Sequence, residues 1–277
     1  MTYNPIEYPQ TFAQPEWITN VNSWHGHLPF GAFLVSALKP RLLVELGVMF
    51  GDSYCTFCQA VKALALNTRC YGIDSWQGDE HAGVYTPNEF LPTLRNHHDV
   101  RYGEFSTLQQ SLFDEALPDF LDHSIDLLHI DGLHTYEAVR HDFETWLPKM
   151  SEQGVVLFHD TNVHENNFGV YQLWGEVSQR YPHFEFLHSY GLGVLGVGNS
   201  LPESLLPFFQ ATVEETQKLR AFFEFLGQRT TSETQRCASL TQELSKAQGV
   251  LDDYAKSRAL KLAQKAWRIR NFIAPRT

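Results

Sequence analysis

Short apolar runs punctuate the middle of the chain, and each carries an acid at or next to its end. RLLVEL (41–46), RCYGID (69–74), IDLLHID (125–131) and GVVLFHD (154–160) share this form. Between them, DSYCTFCQAVKALAL (52–66), TLQQSLFDEAL (107–117) and TYEAVRHDFETWL (135–147) carry apolar residues at helical spacing. Buried runs of this length alternating with amphipathic segments predict parallel strands joined by crossover helices. HFEFLHSYGLGVLGVG (183–198) differs: two β-like runs meet at SYG, which predicts an antiparallel pair closing the sheet. The predicted class is α/β, doubly wound. Ligands of open α/β sheets bind at the carboxyl ends of the strands, so the terminal acids should line one crevice.

The texture changes after Pro207. Residues 208–228 are aromatic-rich and helical, and a long polar helix starts near Glu233. Leu240, Leu244, Leu251 and Tyr254 follow coiled-coil spacing. The expected division is a cap or lid segment over 1–40, an α/β domain over 41–200, and a helical tail over 201–277. An apolar content of 43% excludes disorder throughout, and no run approaches the roughly 20 apolar residues of a membrane span. MTYNPIEYPQ lacks the basic start and apolar core of a secretory signal, and four cysteines make no disulfide framework. A cytoplasmic protein is expected.

Charge adds a polarity along the chain. The net charge is −11, yet Lys256, Arg258, Lys261, Lys265, Arg268, Arg270 and Arg276 follow one another with no acid between them. Residues 1–255 therefore carry −18, which argues against nucleic acid as a partner. The basic end, with Trp267, Ile269 and Phe272, suits a peripheral contact with the inner membrane or with another protein, or self-association.

The first strand runs into Glu45-Leu-Gly47-Val-Met-Phe-Gly51-Asp-Ser53 and then a helix. Glycines there let a ligand approach the backbone, and the helix start offers free N–H groups. The spacing is not the G-x-G-x-x-G of dinucleotide enzymes, which weighs against an NAD-linked oxidoreductase. An acid at the loop's start repels a pyrophosphate and suits a ligand with an amino group. Asp74, at the next strand tip, is placed to accept the hydroxyls of a ribose. Together these point to S-adenosylmethionine. Glu45, Gly47, Gly51, Ser53 and Asp74 are the cofactor candidates, with Trp76 as a stacking partner for adenine.

His129-Ile-Asp131-Gly132-Leu-His134 and His159-Asp160 end the next two strands. Neighbouring strands are about 4.8 Å apart, so these tips should nearly touch. Two carboxylates with imidazoles can hold a divalent metal, or supply a general base for a hydroxyl. Asp131 and Asp160 can also act as N-caps. Trp24-His25-Gly26-His27 and the segment carrying His81 could close over the acceptor. Cys55-x-x-Cys58 lies inside a predicted helix with no second pair nearby, and reads as two core thiols.

VELGVMFGDS, YGIDSWQGDEHAG, IDLLHIDGLHTYEAVRHDFETWLP and GVVLFHDTNV, in this order, resemble the class I S-adenosylmethionine-dependent methyltransferases. Within them the chain is similar to small-molecule and sugar O-methyltransferases associated with bacterial glycosyltransferases. The resemblance covers about residues 20–200. It implies a Rossmann-like seven-stranded sheet with an antiparallel terminal hairpin. It places Glu45 and Gly47 at the methionine part of the cofactor, Asp74 at the ribose, and Ser106 at the adenine. It implies Mg2+ or another divalent cation at Asp131 and Asp160, with His159 as a further ligand. Leu133 and His159 stand where the family shows acids, which makes His134 the preferred base, with Asp131 beside it. The implied activity is methyl transfer to a hydroxyl of a sugar or surface-polysaccharide precursor. The alternative is a non-catalytic scaffold in a polysaccharide-assembly complex. The tail resembles segments beside glycosyltransferase modules, which implies a glycosyltransferase as its partner.

Overall fold

Eleven residues without a charge, Leu28–Leu38, form helix α1, and every one of them is buried. A helix that is apolar on all sides belongs inside a body. Within the expected cap or lid segment over 1–40, α1 is therefore core. The computed structural model describes residues 3–273.

After α1 come β1 (Leu42–Leu46), α2 (Asp52–Ala63), β2 (Arg69–Asp74) and a two-strand ribbon, β3 (Gly78–Asp79) with β4 (Gly83–Val84). Then follow α3 (Pro87–Tyr102), β5 (Ser106–Gln110), α4 (Phe113–Ala116), β6 (Ile125–Ile130), α5 (Tyr136–Trp146) and β7 (Met150–His159). The remainder is α6 (Val170–Val177), β8 (His183–Phe186), β9 (Leu192–Gly196), α7 (Leu206–Phe209), α8 (Val213–Lys256) and α9 (Arg258–Ile273). The main sheet has seven strands in the order β5-β2-β1-β6-β7-β9-β8. β9 runs antiparallel to both its neighbours, as the SYG turn predicted.

Register aligns the chemistry. Leu46 pairs with both Ile73 and Ile130, and Ile130 pairs with Phe158. The next residue of each strand, Gly47, Asp74, Asp131 and His159, therefore falls in one row at the carboxyl edge. Alternation along the strands feeds two cores. Leu43, Leu127, Val155 and Leu157 pack with α1 and α2 on one face. Val44, Leu46, Leu128, Ile130, Val156 and Phe158 pack with α5 and α6 on the other.

TLQQ was expected in a helix and is instead strand β5, at the sheet's edge. An edge strand has one neighbour and can keep polar side chains in water, so its apolar signal is thin. The domain boundary also moves. One compact unit runs to Thr231 and a second spans Ser232–Thr277, because Leu205, Phe208, Leu219 and Phe223 join the first unit's core. In the second unit, Leu240, Leu244, Leu251 and Tyr254 are exposed on α8, and Leu262, Trp267 and Ile269 on α9. Arg276 lies outside the described residues, as do the side chains of Arg258, Arg270 and Phe272. Among the described residues, no helix is long and apolar enough to cross a membrane.

The end opposite the crevice is tied by Asp126, which is 1% exposed. It accepts from the Arg41 amide, Nε and Nη2 at 2.7, 3.0 and 2.9 Å, and from Ser151. Burial pushes its pKa up, but these donors outweigh burial and hold it below the usual carboxylate range. A depressed folded pKa gives stability that is complete above about pH 4 and lost as pH falls through the folded value. Asp126→Asn is expected to cost about 1–3 kcal/mol at pH 7 and to flatten the acid limb of the melting profile. Melting temperatures between pH 2 and 7 check both effects; an unchanged acid limb would contradict the assignment.

Candidate active site

The loop after β1 turns through left-handed backbone at Gly47 (φ 89°), Met49 (φ 48°) and Gly51 (φ 84°) before α2 begins. A Cβ on Gly47 would strike the Asp131 carbonyl oxygen, and one on Gly51 would lie 2.6 Å from Leu94. Asp74 holds this loop. Its Oδ2 accepts from the Val48 and Met49 amides at 2.9 and 2.8 Å, and its Oδ1 from the Trp76 amide at 2.6 Å. Burial raises its pKa, against the pull of the three amides. Three of about four lone-pair directions are used, which leaves one for a ligand hydroxyl.

Glu45 is fully buried below this loop. It accepts from Ser53 Oγ at 2.7 Å, and its Oε2 lies 3.1 Å from His129 Nδ1. Trp24 Nε1, which can only donate, lies 3.2 Å from His129 Nε2. His129 Nε2 is thereby the acceptor, and the ring proton sits on Nδ1, facing Glu45. Burial raises the pKa of Glu45, with His129 opposing. Glu45 thus supports Ser53 and the loop from within; Gly47, Gly51, Ser53 and Asp74 line a cavity of about 560 Å³, and Glu45 does not.

At the far end of the same cavity stand Asp131, His134, His159 and Asp160. His134 Nε2 lies 2.9 Å from Asp160 Oδ2 and 3.4 Å from Asp131 Oδ1. From the buried side, His159 Nδ1 lies 3.3 and 3.2 Å from the same two oxygens. Burial disfavours charge on both imidazoles, but the carboxylates outweigh it. The His134 pKa is pushed up to about 9, and that of His159 well above the imidazole range. The acids respond in kind. Burial would raise both, yet the imidazoles bring Asp160 down to about 2 and Asp131 well below the carboxylate range. Alone, the cluster is a set of ion pairs, and His134 carries its proton at neutral pH.

Further residues close the acceptor end. His81, on the β3–β4 ribbon, donates from Nε2 to the Asn166 carbonyl at 2.9 Å and packs on Phe168, with centroids 4.4 Å apart. Phe168 in turn stacks on His134 at 4.7 Å and 11°. The β8–β9 turn, left-handed at Ser189 (φ 46°), Tyr190 (φ 70°) and Gly191 (φ 93°), brings Tyr190 to the rim. It is held by the Asn162 amide on the Tyr190 carbonyl, the Asp160 amide on the Gly191 carbonyl, and His27 and His159 on the Ser189 carbonyl.

Besides Glu45, the structure places four expected residues elsewhere. Trp76 is fully buried and donates to the Met49 carbonyl at 2.9 Å, so it braces the loop and offers no face to adenine. His25 is buried against Asp52, and His27 is fully buried; neither lines the cavity. Burial and the neighbouring His159 lower the His27 pKa well below the imidazole range. Ser106 opens β5, about 13 Å from that strand's carboxyl end. Its Oγ sits 2.7 Å from Tyr54 Oη and His98 Nε2, and 3.3 Å from Cys58 Sγ. Ser111 and Phe113, just after β5, line the cavity in its stead; recognising TLQQ as a strand would have pointed to them. Ser106→Ala is expected to leave S-adenosylhomocysteine affinity within about twofold while costing about 1–2 kcal/mol of stability. Calorimetry and chemical denaturation separate the two, and a tenfold affinity loss would restore Ser106 to the cofactor site. Cys55 and Cys58 are buried core thiols, as expected.

A seven-stranded sheet with a reversed β9, a glycine loop after the first strand and an acid at the tip of the second give this domain its resemblance to the class I S-adenosylmethionine-dependent methyltransferases. The cavity, with Asp74 still able to accept, fits S-adenosylmethionine. Residues 44–161 match the family profile described as a methyltransferase domain. A 207-residue stretch is 46% identical to the uncharacterized protein y4gI of Sinorhizobium fredii, covering 75% of this chain and 22% of that one. The chain thus spans about a fifth of that relative's length. Among solved structures, the chain is similar to the O-methyltransferase TomG of Streptomyces achromogenes, at 14% identity and a TM-score of 0.47, over 71% of this chain and 97% of that one. It is likewise similar to the Podospora anserina methyltransferase PaMTH1, at 12% identity and 0.46, over 65% and 88%.

Proposed function

We propose that the protein methylates a hydroxyl of a sugar or surface-polysaccharide precursor. The observation that carries this reading is the Asp131–His134–Asp160 cluster, which shares one cavity with the cofactor loop. A hydroxyl must lose its proton as it is methylated, and the two carboxylates are groups that can take that proton while the imidazole beside them holds their oxygens in place. The rim supports a saccharide: Tyr190 and Phe168 offer aromatic faces, and Asn166 and Glu165 offer polar groups.

S-adenosylmethionine supplies the electrophilic methyl. The glycine loop and Asp74 fix the donor end, and the cluster fixes the acceptor end. Holding both in line removes much of the entropic barrier. A divalent cation at Asp131 and Asp160 would polarise the acceptor oxygen and lower its pKa.

Two assays test this. Calorimetry with S-adenosylhomocysteine is expected to give micromolar binding. Radiolabelled S-adenosylmethionine, offered with saccharides, phenols and catechols, is expected to label the saccharides. Label in phenols alone would overturn the acceptor class. Absence of both binding and transfer would return the chain to the scaffold alternative.

A further inference from the structure

We infer that Asp131, His134 and Asp160 form a cation site of mixed oxygen and nitrogen donors, selective for a first-row transition ion of the Mn2+ or Zn2+ kind over Mg2+. The inference deepens the proposed function, and rests on it only for what the cation does.

One ligand atom from each of the three residues lies within 4.8 Å of the other two. The His134 nitrogen is 2.9 and 3.4 Å from the two carboxylate oxygens. Ligands about 2.0–2.2 Å from a common ion, at right or tetrahedral angles, are themselves roughly 2.9–3.5 Å apart. The His134 nitrogen is thus already spaced from each carboxylate oxygen as a neighbour in one coordination shell, and the third pair lies within 4.8 Å.

The donor set decides the ion. Mg2+ takes oxygen ligands in a near-ideal octahedron and keeps several waters. Imidazole binds transition ions more strongly, in the order Mn2+, Fe2+, Co2+, with Zn2+ also favoured. Leu133 offers no donor, and the nearest alternative on that loop is the His134 nitrogen. Three protein ligands leave positions open for oxygens of the acceptor.

The surroundings hold this set in place. Phe168 fixes the plane of the His134 ring. The Asp131 amide is bonded to the Leu46 carbonyl, and that of Asp160 to the Gly191 carbonyl. His159, anchored through Nε2 on the Ser189 carbonyl, presents Nδ1 to both ligand oxygens. It is a positioning residue, of the kind that tunes metal affinity about 10–100-fold.

The test uses the full chain stripped by chelator. Mn2+ is titrated by electron paramagnetic resonance, Mg2+ is added as competitor, and pulsed spectra report nitrogen coupling. S-adenosylhomocysteine binding is measured on the same samples. One Mn2+ per chain is expected, with Mg2+ at least about 50-fold weaker and coupling to a nitrogen nucleus. His134→Gln is expected to erase that coupling and weaken Mn2+ about 10–100-fold, whereas His159→Gln is expected to retain it. Mg2+ within fivefold of Mn2+, no nitrogen coupling, coupling that survives His134→Gln, or no Mn2+ binding would each overturn the inference. If S-adenosylhomocysteine still binds in those cases, the cation site alone is refuted. If it does not bind, the methyltransferase reading falls on its own evidence.

Discussion

Asp160→Asn is expected to lower methyl transfer by about 10²–10⁴-fold, the usual worth of a positioned acid–base group. S-adenosylhomocysteine affinity should stay within about threefold. The backbone favours this substitution as a clean test. Asp160 has φ 62°, and Asn is among the few side chains that accept left-handed backbone. The amide also keeps the volume of the carboxyl. What disappears is the negative charge facing His134 at 2.9 Å and His159 at 3.2 Å. Circular dichroism should therefore be unchanged while turnover collapses. Turnover above a tenth of the wild-type rate would remove Asp160 from the acceptor machinery.

Gly47→Ala is expected to act at both ends of the cavity. A side chain at φ 89° costs about 1–2 kcal/mol from conformation alone. The added carbon also meets the Asp131 carbonyl, so relief moves either the cofactor loop or the tip of β6. A total loss of about 2–4 kcal/mol in stability is expected, with at least a hundredfold loss in S-adenosylhomocysteine affinity. Gly175→Ala is the control. Gly175 lies in α6, and a Cβ there meets nothing within 4 Å. Alanine there should stabilise the chain by about 0.5–1 kcal/mol without touching binding. Similar affinity losses in both variants would mean that the Gly47 effect is not local.

These two sites were legible in the sequence because they obey strong rules. A parallel strand buried on both faces reads as an apolar run, and the residue that ends it must sit at the crevice. That placed Gly47, Asp74, Asp131 and the His159–Asp160 pair without any coordinates. The failures have equally plain causes. Strand β5, with one neighbour, keeps a polar face, and TLQQ imitates helical spacing; Ser106 was thereby put at the wrong end of its own strand. His25, His27 and Trp76 have polar atoms, which suggested ligands. Each instead spends a hydrogen bond inside the protein, a choice that local sequence does not encode. The same holds for α1, whose burial depends on helices and aromatics far along the chain. His134 was recognised as chemistry, but its place between two carboxylates depends on the register of β6 against β7.

The reversed strand β9 has one further consequence. In a wholly parallel sheet, each return of the chain passes over a face as a crossover. Because β9 comes back beside β8 in the opposite sense, the return is a short turn, and it falls on the edge where the cofactor and acceptor meet. That turn carries Tyr190, and it is fastened through its own backbone carbonyls, by the Asp160 and Asn162 amides and by the His27 and His159 rings. Donor and acceptor recognition are therefore written in separate parts of the chain. The side chain at position 190 can be exchanged to admit a different acceptor while the glycine loop, Asp74 and the cluster stay as they are. The rim can thus change its chemistry while the frame beneath it stays fixed.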